Sequence, residues 1–186
     1  MPSPFDIAVL VGSLRRESYT LRYVQALQKI APASLKLEVV PIGELPLYNQ
    51  DLEDAGAPKP WLDFRTRIKA ADAVLFATPE YNRSIPAALK NAIDVGSRPY
   101  GQSVFSGKPA AVISTSPGAI GGFGAHHHLR QPLVFLDMPV LQQPEMYVGG
   151  VDKLVDANGF ATDAAKQYGA KFLAAFEGWL KKLSAG

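Results

Sequence analysis

The run Ile7-Ala8-Val9-Leu10-Val11 and the loop after it constrain this chain more than any other stretch. Five consecutive apolar residues leave no polar face for water, so they read as a strand covered on both sides. Residues 18–30 then carry Leu21, Val24, Leu27 and Ile30 at helical spacing. A strand feeding a helix through a tight glycine turn is the opening of a parallel, doubly wound sheet. The loop between them is Gly12-Ser13-Leu14-Arg15-Arg16-Glu17-Ser18-Tyr19-Thr20. A helix N-terminus offers unpaired N–H groups and the positive end of a dipole. Ser13, Ser18 and Thr20 can add hydroxyl donors, and Arg15 a forked cation. The expected ligand is a terminal phosphate.

The spacing is not the Walker pattern, because no Gly-Lys-Ser/Thr follows. Nor is it the dinucleotide fingerprint, because Gly12 lacks partner glycines at the required offsets. A mononucleotide phosphate remains, with a flavin as first candidate. The same residues also suit an ordinary loop whose serines cap the helix, and the loop alone does not decide between the two.

Strand-like and helix-like segments alternate to the end of the chain. Strands are expected at 35–40, 73–78, 110–115 and around 139–140, the last resuming near Met146. Helices are expected at 61–71, 85–95, 122–136 and 162–183, with Pro86 in the first turn of the second. The terminal helix has Ala165, Tyr168, Phe172, Ala175, Phe176 and Trp179 as its core face. Residues 41–60, rich in Pro, Gly and acids, read as one long loop in which Asp51, Glu53 and Asp54 are solvated. The fold class is therefore α/β: a doubly wound, five-stranded parallel sheet in a three-layer α/β/α sandwich, with residues 1–186 forming a single domain.

Composition excludes several functions. The 186 residues suffice for one hydrophobic core, and a 47% hydrophobic fraction argues against disorder. The chain has no cysteine, so disulfides, thiolate catalysis and Cys-based metal or iron–sulfur sites are out. A net charge of +2 without a basic run gives no footprint for nucleic acid. No apolar run spans a membrane and no signal segment opens the chain, so a cytoplasmic protein is the expectation. His126, His127 and His128 invite a metal, but helical neighbours point about 100° apart, so a structural or interface role is expected. Lys90 and Asp94 have the spacing of a surface pair. A Ser–His hydrolase lacks its Gly-x-Ser-x-Gly elbow.

Right-handed crossovers bring the loops after strands one, three and four to one sheet edge. The second of these is Pro79-Glu80-Tyr81-Asn82-Arg83-Ser84-Ile85-Pro86. Ser84 can cap the next helix, but that leaves Pro79, Tyr81 and Asn82 unexplained. A flavin ring explains them: its edge pairs with peptide groups and Asn, and its faces favour aromatic neighbours. The third loop, Ser114-Thr115-Ser116-Pro117-Gly118-Ala119-Ile120-Gly121-Gly122, permits close backbone approach to a flat ligand.

These residues resemble a known family, the NAD(P)H-dependent FMN reductases of flavodoxin-like fold, most nearly its chromate and quinone reductases. The match lies in Gly12-Ser13-Leu14-Arg15 with Ser18, in Pro79-Glu80-Tyr81-Asn82, and in Pro86 with Leu89-Lys90-Asn91-Ala92-Ile93-Asp94. It continues in Gly107-Lys108-Pro109, Gly121-Gly122 and His128-Leu129-Arg130-Gln131, so it covers about residues 7–150. The resemblance implies FMN as cofactor and NADPH or NADH as cosubstrate. It implies ping-pong reduction of quinones, with chromate, azo compounds or free flavin as further acceptors. It places Ser13, Arg15, Ser18, Tyr19 and Thr20 at the phosphate end, where relatives commonly have Asn at the position of Thr20. It places Pro79, Glu80, Tyr81 and Asn82 along the ring and Ser116 in the third loop, with no side chain required as catalytic acid or base. It also implies a homodimer, in some members a homotetramer. Where many relatives carry Arg near position 124, this chain has Gly124. The alternative function is a flavodoxin-type electron carrier with no NAD(P)H oxidation of its own; such carriers are usually acidic, unlike this chain.

Overall fold

The computed structural model describes residues 3–184. Strands β1 (Phe5–Val11), β2 (Leu35–Val39), β3 (Ala73–Pro79), β4 (Ala110–Ser116) and β5 (Met146–Gly149) form one sheet in the order β2-β1-β3-β4-β5. Every pairing in it is parallel. Side chains alternate across the strands. Ile7, Val9 and Val11 face one layer with Leu75 and Ile113, while Ala8 and Leu10 face the other with Phe76 and Val112. Helices α1 (Tyr19–Ile30) and α6 (Asp163–Ser184) cover the first face. Helices α3 (Lys59–Ala70), α4 (Ala87–Gly96) and α5 (Phe123–Phe135) cover the second. Both faces of the central strands are therefore buried, as the unbroken apolar run of β1 requires.

Several sequence expectations need correction. The long loop holds a short helix, α2 (Gln50–Asp54), and is tied down along its length. Asn91 accepts from the Tyr48 N–H at 2.9 Å and donates to the carbonyls of Leu45 and Pro46. Trp61 donates from its indole to Pro46 O at 2.9 Å. Glu53 is not solvated: its carboxylate meets the Arg65 guanidinium at 2.9 and 2.5 Å, and Arg65 also donates to Val95 O. Helix α4 starts two residues later than expected, because Pro86 is its cap residue rather than part of its first turn. Ser84 does not cap it and is paired to Tyr81 instead. Val140 makes only an isolated bridge to Ala110, so the fifth strand is the Met146 segment. A small hairpin, β6 (Val155–Asp156) with β7 (Gly159–Phe160), follows it and carried no sequence signal. The core face of α6 holds the expected Ala165, Phe172 and Phe176, with Ala175 and Trp179 packed against it, but it is wider than expected: Gly169, Leu173 and Leu180 are also buried, while Tyr168 is 38% exposed. Lys90 and Asp94 do form the expected surface pair at 2.7 Å.

The Glu53–Arg65 pair yields the first prediction. Both side chains are about nine-tenths buried, so removing one partner strands a charge out of water. Glu53→Ala should lower unfolding free energy by about 3–5 kcal/mol, read as a lower midpoint in urea. A midpoint within error of the parent would show that the pair is not holding the loop.

Candidate functional site

The sheet order reverses direction of travel between β1 and β3, and the crevice lies at the carboxyl ends of the strands on either side of that switch. The three loops expected to meet there do meet. A shallow cleft of about 110 Å³ is lined by Ser13, Arg15, Tyr19 and Thr20 from the first loop and Pro79, Glu80 and Tyr81 from the second. Thr115, Ser116 and Pro117 complete it from the third, with Val151 beyond β5. A larger cavity of about 720 Å³ lies elsewhere, among Arg65, Lys69, Arg98 and Lys108. It shares no lining residue with the cleft, and two of its cations are already committed, Arg65 to Glu53 and Lys108 to the carbonyls of Lys69 and Ala71.

The first loop is built as an open donor array. Gly12 donates to Ala77 O at 2.8 Å, which ends the β1–β3 ladder. Ser18 is the N-cap of α1; its hydroxyl oxygen accepts from Leu21 N–H at 3.1 Å, and its own hydrogen is left free to donate. The first turn of α1 holds no acidic residue. Arg15 is exposed and makes no ion pair among the described residues. Thr20 is 2% exposed, and its hydroxyl lies 2.7 Å from the Thr115 hydroxyl. That bond ties the start of α1 to the end of β4 across the crevice. Tyr19 stands at the rim with the Arg22 guanidinium 5.7 Å from its ring centre.

The second loop is a two-residue hairpin turn. Tyr81 and Ser84 exchange backbone hydrogen bonds at 2.9 Å each. The central residues Asn82 and Arg83 have φ of 51° and 65°, the sign pattern of a type I′ turn. Asn tolerates this region; Arg does so at a cost. Asn82 sits at the exposed tip and does not line the cleft, whereas Tyr81 lines it and is 49% exposed. Glu80 turns inward and accepts from the Ala125 N–H at 3.0 Å.

The third loop is pressed onto the end of β5. Ser116 accepts from Gly118 N–H at 3.0 Å. A Cβ on Gly149 would fall 2.3 Å from Ala119 O, so only glycine permits this approach. Thr115, Pro117 and Val151 were not singled out in the sequence. Thr115 was legible only as part of the loop, and Val151 carries no chemical signal at all.

The three histidines diverge, as helical spacing requires. His127 Nε2 lies 2.9 Å from the Tyr147 hydroxyl and His128 Nδ1 lies 3.0 Å from Ser84 Oγ. His126 is wholly buried, and neither ring nitrogen has a partner. Among the described residues no group of His, Asp or Glu could hold a metal. Burial, with Arg130 and His127 adding repulsion, pushes His126 down to about 3. The unfolded chain has the ordinary value near 6.5, so between these values the unfolded state holds the extra proton. Stability contributed by neutral His126 is full above pH ~6.5 and drains as pH falls toward the folded value. His126→Phe should therefore show a flatter fall in urea midpoint from pH 7 to pH 4 than the parent. Equal pH dependence in both proteins would refute this assignment.

Known proteins bear on the same geometry. The model of the NADPH-dependent FMN reductase family matches residues 5–153, the segment that carries all three loops. A quinone reductase from Pseudomonas putida is 56% identical over 181 residues, 97% of each chain. A 2-hydroxy-1,4-benzoquinone reductase from a Burkholderia species is 45% identical, covering 94% of this chain and 96% of its own. The solved structure of a flavoenzyme NAD(P)H:(acceptor) oxidoreductase from Paracoccus denitrificans superposes with a TM-score of 0.91 at 41% identity, covering 96% of this chain and 98% of that one. Sheet order, the loop cleft and these likenesses agree, and the chain belongs to the NADPH-dependent FMN reductase family.

Proposed function

We propose that this protein is an FMN-dependent NAD(P)H oxidoreductase that reduces quinones. The observation that carries the reading is the donor array at the start of α1, facing an aromatic, proline-bounded turn across one shallow cleft. The array suits a phosphate. It combines a helix N-terminus with no acidic residue in its first turn, the Ser13 hydroxyl and Arg15, which makes no ion pair among the described residues. The turn suits a flat ring, with Pro79 and Tyr81 on one side and Ser116 and Pro117 on the other.

Bound FMN would supply the redox chemistry, taking a hydride from NAD(P)H and passing an electron pair to the quinone. The residues of the chain hold and orient. Ser13, Arg15 and the helix N-terminus grip the anionic end, with the freed hydrogen of Ser18 as a further donor. Thr20 supports the cradle by bonding to Thr115 rather than by contacting the phosphate. Pro79 and Tyr81 would border the ring, while Asn82 at the tip of the turn lies outside the cleft lining in this structure. The one carboxylate lining the cleft, Glu80, has an oxygen already engaged by Ala125 N–H, so no side chain is set as the acid of the reaction.

The cleft is too small to enclose a flavin nucleotide, since ligand pockets run to about 300–1,000 Å³. Leu14, Tyr81, Ile120 and Phe123 stand 59%, 49%, 59% and 49% exposed in the loops and helix start around it. These apolar groups support a homodimer whose second copy covers the site; a homotetramer would have to form without the Arg that many relatives carry near position 124, where this chain has Gly124. No described helix is long and apolar enough to cross a membrane, and a cytoplasmic setting suits NAD(P)H as reductant. Chromate, azo compounds and free flavin fit as further acceptors at the same open face. The electron-carrier alternative is disfavoured by the near-neutral charge of the chain.

Two outcomes test the reading. Arg15→Ala should weaken FMN binding by ~10–150-fold, the loss of one charge-assisted contact of about 1.5–3 kcal/mol. Fluorescence titration of FMN into the apoprotein measures it, and unchanged affinity removes Arg15 from the cradle. Initial rates at varied NADH or NADPH and quinone should give parallel double-reciprocal lines, because a single open face serves both substrates. Intersecting lines would rule out the shared face.

A further inference from the structure

We propose that Glu80 is the positioning residue of the ring-side turn: its carboxylate clamps residues 79–84 onto the N-terminus of α5 and does not bind the ligand. This deepens the flavoenzyme reading and rests on it for its catalytic consequence. Helix α5 begins without a cap of its own. Gly122, left-handed at φ 78°, has no side chain to offer, and the first turn contains no acidic residue. The missing acceptor comes from 45 residues away, where Glu80 Oε2 takes the Ala125 N–H at 3.0 Å. A carboxylate at the positive end of a helix is held by the dipole as well as by the hydrogen bond. The side chain is only 16% exposed, and its other oxygen sits 3.5 Å from Arg83.

Two further contacts join the same turn to the same helix. Ser84 Oγ lies 3.0 Å from His128 Nδ1. At Gly124 the helix backbone touches the turn directly: a Cβ there would lie 2.8 Å from Arg83 O and 2.9 Å from Glu80 Oε2. The absence of a side chain at 124 is therefore what lets the carboxylate reach the helix. The turn needs such support, because Arg83 occupies a left-handed conformation that non-glycine residues hold only when their surroundings impose it. Release of the clamp would let Pro79 and Tyr81 move at the cleft, and displacements near 1 Å at a reacting ring can cost ~100-fold in rate.

Glu80→Ala, Glu80→Gln and Gly124→Ala separate this role from the alternatives. In the apoprotein, amide hydrogen exchange at Ala125 and Ser84 should quicken at least ~10-fold in Glu80→Ala and Gly124→Ala. Glu80→Gln, whose amide oxygen still accepts, should stay near the parent. In the FMN-loaded protein, kcat for NAD(P)H-driven quinone reduction should fall at least ~10-fold in the first two variants while the FMN dissociation constant moves less than ~3-fold. Glu80→Gln should recover most of kcat. The proposal is overturned by unchanged exchange at Ala125 in Glu80→Ala, or by full kcat in that variant. It is equally overturned by FMN affinity falling as far as kcat, which would make the carboxylate a ligand contact. If the parent binds no FMN, the flavoenzyme reading fails, and the exchange rates alone decide the clamp.

Discussion

The pairing of β1 with β2 on one side and β3 on the other is the constraint from which the site follows. Crossovers between parallel strands are right-handed, so a chain that moves outward from β1 to β2 and then returns past it to β3 must place its helices on opposite faces. Helix α1 lies on one face and α3 and α4 on the other. The loops leaving β1 and β3 thus turn toward opposite faces from neighbouring strand ends, and the gap between them at that shared edge is the cleft. The residues lining that gap come from the β1 loop on one side, the β3 turn on the other and the β4 loop as the far wall, the sides to which the proposed function assigns the phosphate and the ring.

The parts of this arrangement that rest on local pattern were legible in the sequence. Apolar runs marked β1, β3 and β4, because strands buried on both faces are dominated by apolar residues, with Thr78, Ser114 and Thr115 as buried hydroxyls only near the carboxyl ends. The Ser18 cap and the helical stripe behind it located α1 to within a residue. Convergence of three loops followed from topology alone, and the cleft contains members of each. What the sequence concealed rests on contacts between distant segments. Glu53 looks like a surface acid until Arg65, 12 residues on, is seen to bury it. Thr20 shows in the sequence only as a hydroxyl near a helix start, and its bond to the Thr115 hydroxyl, 95 residues away, is visible only in the fold. The β6–β7 hairpin consists of two two-residue strands, too short for any period to register.

Glycine illustrates the same division. Gly118, Gly121 and Gly122 announce a loop in the sequence, but the close approach that needs glycine is also at Gly149, where Ala119 O lies too near for any side chain. Gly124 carries no loop signal at all, being inside a helix, and its reason is a carbonyl and a carboxylate from the β3 loop. Neither is visible without the fold, since helix propensity would favour Ala at 124.

The division of labour across the cleft has a physical logic. A phosphate grip can be made of backbone amides and one cation because charge tolerates small displacements. The ring side cannot, since transfer between flat π systems depends on distance and angle to fractions of an ångström. The chain accordingly spends its strain there. It holds Asn82 and Arg83 in left-handed conformations and anchors the turn to α5 through Glu80, Ser84 and the bare backbone at Gly124. Helix α5 is itself fixed by Leu129 and Leu133 in the core, so the turn inherits the rigidity of the sheet rather than that of a loop. On the proposed function, affinity and geometry would thereby be set by different residues after different strands, so that either could change without disturbing the other.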